Sequence, residues 1–206
     1  MPRDKTKNHI KIMAAAREEF LEYGFENASM RRIGERCGMT AAGIYRHCLD
    51  KADLFDQLVA PAVEKLNAWL DAHTARSVNA VRGDGNLWQD TEIDMMRGLV
   101  YPNMEDYRLL LAKAQGTKYE NFLHDLVEGR QQSMLRFLSD LKKQGYVVRD
   151  IDPKELHLLL TAYTAAMFEP VIHNYPIEEA LRCLETVEAF FLPGWKQIMG
   201  FHAEIE

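Results

Sequence analysis

Along nearly the whole chain the apolar residues fall three and four apart, and alternating runs rich in Val, Ile and Thr are almost absent. That spacing lines one side of a helix and does not line one face of a strand, so the pattern predicts an all-α protein. A first helix is expected over about 7–23, with Ile10, Ala14, Phe20 and Leu21 turned inward and Gly24 ending it. Ser29 is placed to cap a short second helix that runs to about Cys37 and stops at Gly38. Thr40 should cap a third over 41–47, and Asp50, with Asp53 three residues on, a fourth that starts at Lys51. Two short helices joined by three or four residues around a glycine have the helix-turn-helix arrangement.

The fourth helix is expected to reach about Ala75, with a kink where Pro61 lacks a backbone donor. The stretch SVNAVRGDGN reads as a loop and a place for disorder. Further helices are expected near 87–100, 104–114, 118–144, 154–173 and 177–199. Their starts are signalled by Tyr101-Pro102-Asn103, by the capping box Thr117-Lys118-Tyr119-Glu120, by Asp152-Pro153-Lys154-Glu155, and by Pro176 followed by Glu178 and Glu179. No internal repeat or low-complexity tract interrupts the series. The expected division is a small domain over 1–52 and a helical-bundle domain over 53–206, joined by the fourth helix.

Charge changes the picture. The net charge of the 206 residues is −6, yet residues 1–55 carry ten Lys and Arg against eight Asp and Glu, a surplus of +2 that leaves −8 on the rest. A basic head on an acidic body draws phosphates to one end. Three cysteines, Cys37, Cys48 and Cys183, without CxxC spacing, argue against a disulfide framework or a zinc knuckle. No apolar stretch has the roughly 18 residues of a membrane span and no apolar signal-peptide core follows the N-terminus, so a cytoplasmic protein away from membranes is expected. Catalysis lacks its parts: the histidines form no HxxxH or HExxH, no glycine loop cradles phosphate, and no Ser/His/Asp set can be assembled. No metal or cofactor is expected.

The stretch FLEYGFENASMRRIGERCGMTAAGIYRHCLDKADLF, Phe20 to Phe55, resembles the DNA-binding head of the TetR family of bacterial repressors. The resemblance lies in Phe20, Gly24, Phe25, Ala28-Ser29, Ile33, Gly38-Met39-Thr40, Ile44-Tyr45, Lys51 and Leu54-Phe55. Cys37 and Cys48 depart from it, standing where the family usually has alanine and phenylalanine. The resemblance implies a head that contacts duplex DNA. Helix N-termini at Ser29 and Thr40 offer amides to phosphates, or serve only as caps. The small residues Thr40, Ala41, Ala42 and Gly43 let the third helix sit deep in the major groove, where alanine methyls can meet thymine methyls. Arg46 can fork onto guanine or pair with phosphate. By analogy with matching family positions, Tyr45, His47 and Lys51 are backbone clamps, with Tyr45 alternatively part of the core. Arg31 is a further candidate. Arg32 and Arg36 read as solvated surface charges, and Cys37 and Cys48 as small buried residues rather than a redox switch.

A twofold dimer would read two half-sites of a palindromic operator. The last two helices are the candidate interface, with Ala165 and Ala166 on one and Leu181, Leu184, Val187, Phe190 and Phe191 on the other, the alternative being that this stripe is only intramolecular core. The body also resembles the family in LLLAKAQGTKYENF and FFLPGWKQIMG, which implies a pocket for a small-molecule effector of unknown identity. Its candidate lining is Trp88, Met95, Met96, Tyr101, Tyr107, His124, Met134, Phe137, Tyr163 and Met167, residues that a plain core would use equally. The function implied is a transcriptional repressor released by ligand. The alternatives are a degenerate member that binds a ligand or protein without DNA, and an enzyme hidden in the helical body.

Overall fold

The structure is a computed structural model that describes residues 5–79 and 92–199, and all regular secondary structure among them is helical. In chain order the elements are α1 (Lys5–Asn27), α2 (Met30–Cys37), α3 (Ala41–Ile44), α4 (Lys51–Asn79), α5 (Glu92–Met95), α6 (Met104–Ala112), α7 (Phe122–Lys143), α8 (Pro153–Ile172) and α9 (Ile177–Met199). Between α5 and α6 the chain stays helical, as a π-helical stretch Met96–Val100 and a 3-10 turn Tyr101–Asn103.

Local signals explain most boundaries. Gly24 leaves helical geometry at φ 73° and ψ 167°, so α1 breaks where expected, and one more turn carries it to Asn27. At the start of α4 the caps are reciprocal: Asp50 accepts from the Asp53 amide at 2.8 Å, and Asp53 accepts from the Leu49 amide at 2.6 Å. Asp152 accepts from the Lys154 amide at 2.8 Å with Pro153 in the first turn of α8. Pro61 lies inside α4, which runs as one helix to Asn79, past the end expected near Ala75.

Two expected elements differ. α3 closes at Ile44 rather than at 47, the chain passing from Tyr45 to His47 as a turn. The motif Thr117–Glu120 does not start a helix. The Thr117 hydroxyl accepts from the Tyr119 amide, the Glu120 carboxylate accepts from the Gly116 amide, and α7 begins only at Phe122. A positive φ of 81° at Gly116 and the bonding of Tyr119 to Asp56 of α4 hold this segment as a turn. Of the loop expected at 77–86, residues 77–79 are instead the end of α4; the rest, with the first residues of the helix expected from 87, lies outside the described residues.

By contacts the chain forms two compact units, Met1–Ala68 with Pro102–Asn121, and Trp69–Tyr101 with Phe122–Glu206. In the first, Phe55 meets Phe20 and Phe25 edge-on at 5.1 and 5.5 Å, beside the fully buried Ile12, Ala16, Ile33, Ile44 and Val59. α6 belongs to this unit. Its Tyr107 is fully buried and donates its hydroxyl proton to Ala62 O at 2.9 Å, and its Asp106 pairs with Arg17 of α1 at 2.7 Å. In the second unit α7 packs on α8 through Val127, Leu156 and Leu160, with Leu138, Leu141 and Val148 at the far end and Trp195 of α9 against both groups.

Candidate nucleic-acid interface

The approach of α2 to α3 is fixed by two glycines. Gly38 takes the left-handed conformation at φ 69°, which ends α2 and lets the Met39 amide return to Gly34 O at 2.8 Å. At Gly34 a Cβ would lie 2.6 Å from Met39 O, so the turn closes only over a bare α-carbon. Ile33 and Ile44, both at 0% exposure, anchor the two helices from beneath. Thr40 then caps α3 with its side chain, accepting from the Gly43 amide at 3.1 Å.

What remains outward is the far side of α3 and the turn after it. Ala42, Tyr45 and Arg46 are exposed, Ala41 and His47 partly so. At 51% exposure Tyr45 is not a core residue. Gly43 is buried, its absent Cβ facing Thr40 Oγ1 at 3.4 Å with an Arg46 guanidinium nitrogen at 3.9 Å. The Arg31 side chain is 82% exposed, its Nε 3.4 Å from the Glu35 carboxylate. Cys48 is buried, and burial pushes its thiol and that of Cys37 above the ordinary thiol range, which suits packing rather than reactivity.

Ser29 departs from the cap expected of it, and Lys51 bonds within the head. Ser29 stands at the N-cap of α2, in extended backbone, but its side chain makes no cap bond. The Lys51 ammonium donates to Glu26 O and Ala28 O at 3.0 and 3.2 Å and lies 4.5 Å from the Phe25 ring centre, so it closes off the end of α1. Burial lowers its pKa.

Sequence reasoning missed Glu19. This carboxylate is wholly buried and accepts from the Ser29 amide at 3.0 Å, from Arg32 Nε at 2.6 Å and from Arg36 Nε at 3.2 Å. Arg36 also bonds Glu22, and Arg32 lies over the Tyr23 ring at 4.3 Å. Arg32 and Arg36, read as solvated surface charges, keep surface exposure but are also the partners of a buried charge. The inward stripe of α1 is Ile12, Ala15, Ala16, Glu19 and Phe20; Ile10 and Ala14, expected inward, are exposed, and a stripe read in that phase passes over Glu19.

The ten candidate pocket residues occupy different settings. Trp88 lies outside the described residues. Tyr107 is core of the first unit, and His124 is exposed, 3.3 Å from Glu128 and ring to ring with His157 at 5.9 Å. In the second unit Met95, Met96 and Met167 are buried, Met134 and Phe137 pack against the cluster of Leu138, Leu141 and Val148, and Tyr101 donates to Tyr175 O at 3.3 Å. Tyr163 lies between the Phe191 and Trp195 rings at 5.2 and 6.4 Å, with the Arg130 guanidinium at 5.8 Å from its own ring and Arg130 paired to Glu92 at 2.9 Å. Among the described residues no helix is long and apolar enough to cross a membrane, and no group of His, Cys, Asp and Glu could hold a metal ion.

Residues 12–58 match the model of the family described as bacterial regulatory proteins, tetR family. An HTH-type transcriptional repressor from Mycobacterium tuberculosis is 37% identical over 57 residues, 28% of this chain and 30% of the relative. An HTH-type transcriptional regulator from Staphylococcus aureus is 41% identical over 54 residues, 26% of this chain and 29% of the relative. The chain thus spans under a third of the curated relatives it matches. A solved chain from Mesorhizobium loti assigned to the tetR family superposes with a TM-score of 0.45 at 18% identity, covering 92% of this chain and 97% of that one.

Proposed function

We propose that this chain, whose residues 12–58 match the tetR family of bacterial regulatory proteins, is a member of that family that binds duplex DNA through α2 and α3 and acts as a ligand-released transcriptional repressor. The observation that carries the reading is the open face around a glycine-closed, Thr40-capped α3, where small residues and Arg46 stand clear of the core. In this reading residues 1–52 read DNA and 53–206 form the effector-binding and dimerisation body, a functional division that cuts across the compact units. Arg46 reads a base edge from the major groove, while Ser29, Arg31, Thr40, Tyr45, His47 and the remaining proton of Lys51 hold phosphates. Ala41, Ala42 and the backbone at Gly43 let α3 approach the groove closely.

Dimerisation through α8 and α9 is supported by what those helices leave uncovered. Phe190 is 77% and Leu158 is 68% exposed, with Ala162, Ala165 and Ala189 exposed beside them in sequence register. Leu184, expected at the interface, is instead fully buried within the chain, and Phe191 packs on Tyr163. The activity is binding and release, not catalysis, carried out in the cytoplasm.

Release by an effector runs through the segments that link the body to the head. α4 begins beside the head at Lys51, and residues 102–121 belong to the head's compact unit, tied there by Arg17–Asp106 and by the Phe25 amide on Lys113 O at 2.9 Å. A ligand lowers operator affinity only by its preference for the DNA-releasing state, about 5- to 150-fold in the usual range, and DNA weakens ligand binding equally. The test is footprinting on promoter DNA with the dimer mass monitored. A dyad-symmetric footprint whose affinity falls steeply with salt is expected; no protection, or a footprint without symmetry, overturns the reading.

A further inference from the structure

We propose that Glu19 is a positioning residue for DNA binding: from within the head it fixes the first turn of α2 and so leaves the Ser29 hydroxyl and the leading amides of α2 open to a DNA phosphate. The inference rests on the DNA-binding reading and adds a residue to it.

A buried carboxylate is costly unless its oxygens are bonded, and Glu19, at 0% exposure, has three donors. One of them is a backbone amide, that of Ser29, the N-cap of α2. In an ordinary capping box the cap side chain takes an amide of the first turn, and a Glu three residues on returns to take the cap's own amide. Here the third residue on is Arg32, which has only donors, and the Ser29 side chain caps nothing. Glu19 supplies the missing carboxylate from α1, and Arg32 points its Nε at the same oxygen, 2.6 Å away.

This exchange has a consequence for the surface. Because Glu19 does the work of holding Ser29 in extended backbone at φ −123° and ψ 123°, the serine hydroxyl is not spent on the helix. The amides of Met30, Arg31 and Arg32 have no backbone acceptor among the described residues. A helix start with open amides and a free hydroxyl is a ready phosphate site. Arg32 and Arg36 meanwhile are held by acidic groups of α1. Binding at α2 then depends on where its backbone lies rather than on those two charges.

Three versions of the full-length protein separate positioning from stability: wild type, Glu19→Gln and Glu19→Leu, each measured for thermal midpoint and for affinity to a mixed-sequence duplex at low salt. Glutamine keeps a carbonyl oxygen for the Ser29 amide but turns an NH2 toward Arg36 Nε, so its midpoint should fall at least as far as that of leucine. Its affinity should nevertheless stay near wild type, while leucine, with no acceptor, loses about 10-fold, the scale of one charge-assisted hydrogen bond. If affinity instead follows the order of the midpoints, or leucine binds as wild type does, Glu19 is only a structural ion-pair partner and the proposal is wrong. Should the leucine protein not fold, Ser29→Ala decides: an unchanged midpoint with affinity reduced by about 3-fold or more supports it, since a lost cap would lower the midpoint. A lowered midpoint with unchanged affinity overturns it. Wild-type protein that binds no duplex removes the DNA-binding reading itself, a result distinct from any difference among the variants.

Discussion

The Lys51 ammonium has three protons, and the fold uses two of them on Glu26 O and Ala28 O. One remains for a phosphate, so Lys51 should serve both stability and binding, whereas Arg46, exposed beyond the end of α3, serves binding alone. Lys51→Ala is expected to cost about 1–2 kcal/mol of stability, the worth of hydrogen bonds from a charged group, and to weaken binding evenly on all sequences. Arg46→Ala should leave the melting temperature unchanged and give up about 1–3 kcal/mol of discrimination at one base pair. Melts alongside a competition between operator and mixed duplexes test the pair. A Lys51 variant that melts as wild type would mean that the bonds to α1 carry no net stability.

Among the elements, the α2–α3 turn and the segment 113–121 are set by contacts more than by their own sequence. Gly34→Ala drives a Cβ toward Met39 O, a backbone atom that cannot step aside, and should destabilise the head by about 1–3 kcal/mol. Denaturant unfolding measures it; a neutral substitution would show that the turn can open. On the other side of the unit, Asp56 of α4 accepts from Lys118 and Tyr119, bonds that hold its carboxyl below the usual range. A depressed carboxyl pKa adds stability above the unfolded value and loses it as pH falls through the folded one. The melting-temperature gap between wild type and Asp56→Asn should therefore be full at neutral pH and close in acid below the ordinary carboxylate range. A gap that persists there would assign the effect to packing rather than to charge.

In the proposed dimer the decisive quantity is the number of heads presented to DNA. With Phe190 and Leu158 exposed on neighbouring helices, Phe190→Glu should desolvate a charge inside any α8–α9 interface and leave a monomer. Light scattering reads the mass, and operator affinity should fall with it, because a monomer reads one half-site. A variant that stays dimeric places the interface elsewhere. Phe190 is chosen over Leu184 because Leu184 is buried within its own chain, where a charge would damage the fold and obscure the result.

Periodicity and capping chemistry, read from the sequence, determined the helices, the glycine-centred turn between α2 and α3, and the Thr40 and Asp50 caps, because each depends on residues within one or two turns of each other. The candidate DNA-facing set had two sources: Thr40 to Gly43 and Arg46 came from residue chemistry at and after the start of the third helix, whereas Tyr45, His47 and Lys51 came from the family resemblance. Tertiary structure decided what local pattern cannot encode. Thr117–Glu120 has the letters of a helix start, yet Asp56, some sixty residues away, holds Tyr119 in a turn. Arg32 and Arg36 have the look of solvated charges until α1 brings Glu19 beneath them. Ser29 has the letter of a cap, and the carboxylate that holds it comes from another helix. Each of these turns on a polar group finding its partner across the fold, and a buried charge or amide must find one whatever its neighbours in sequence would prefer.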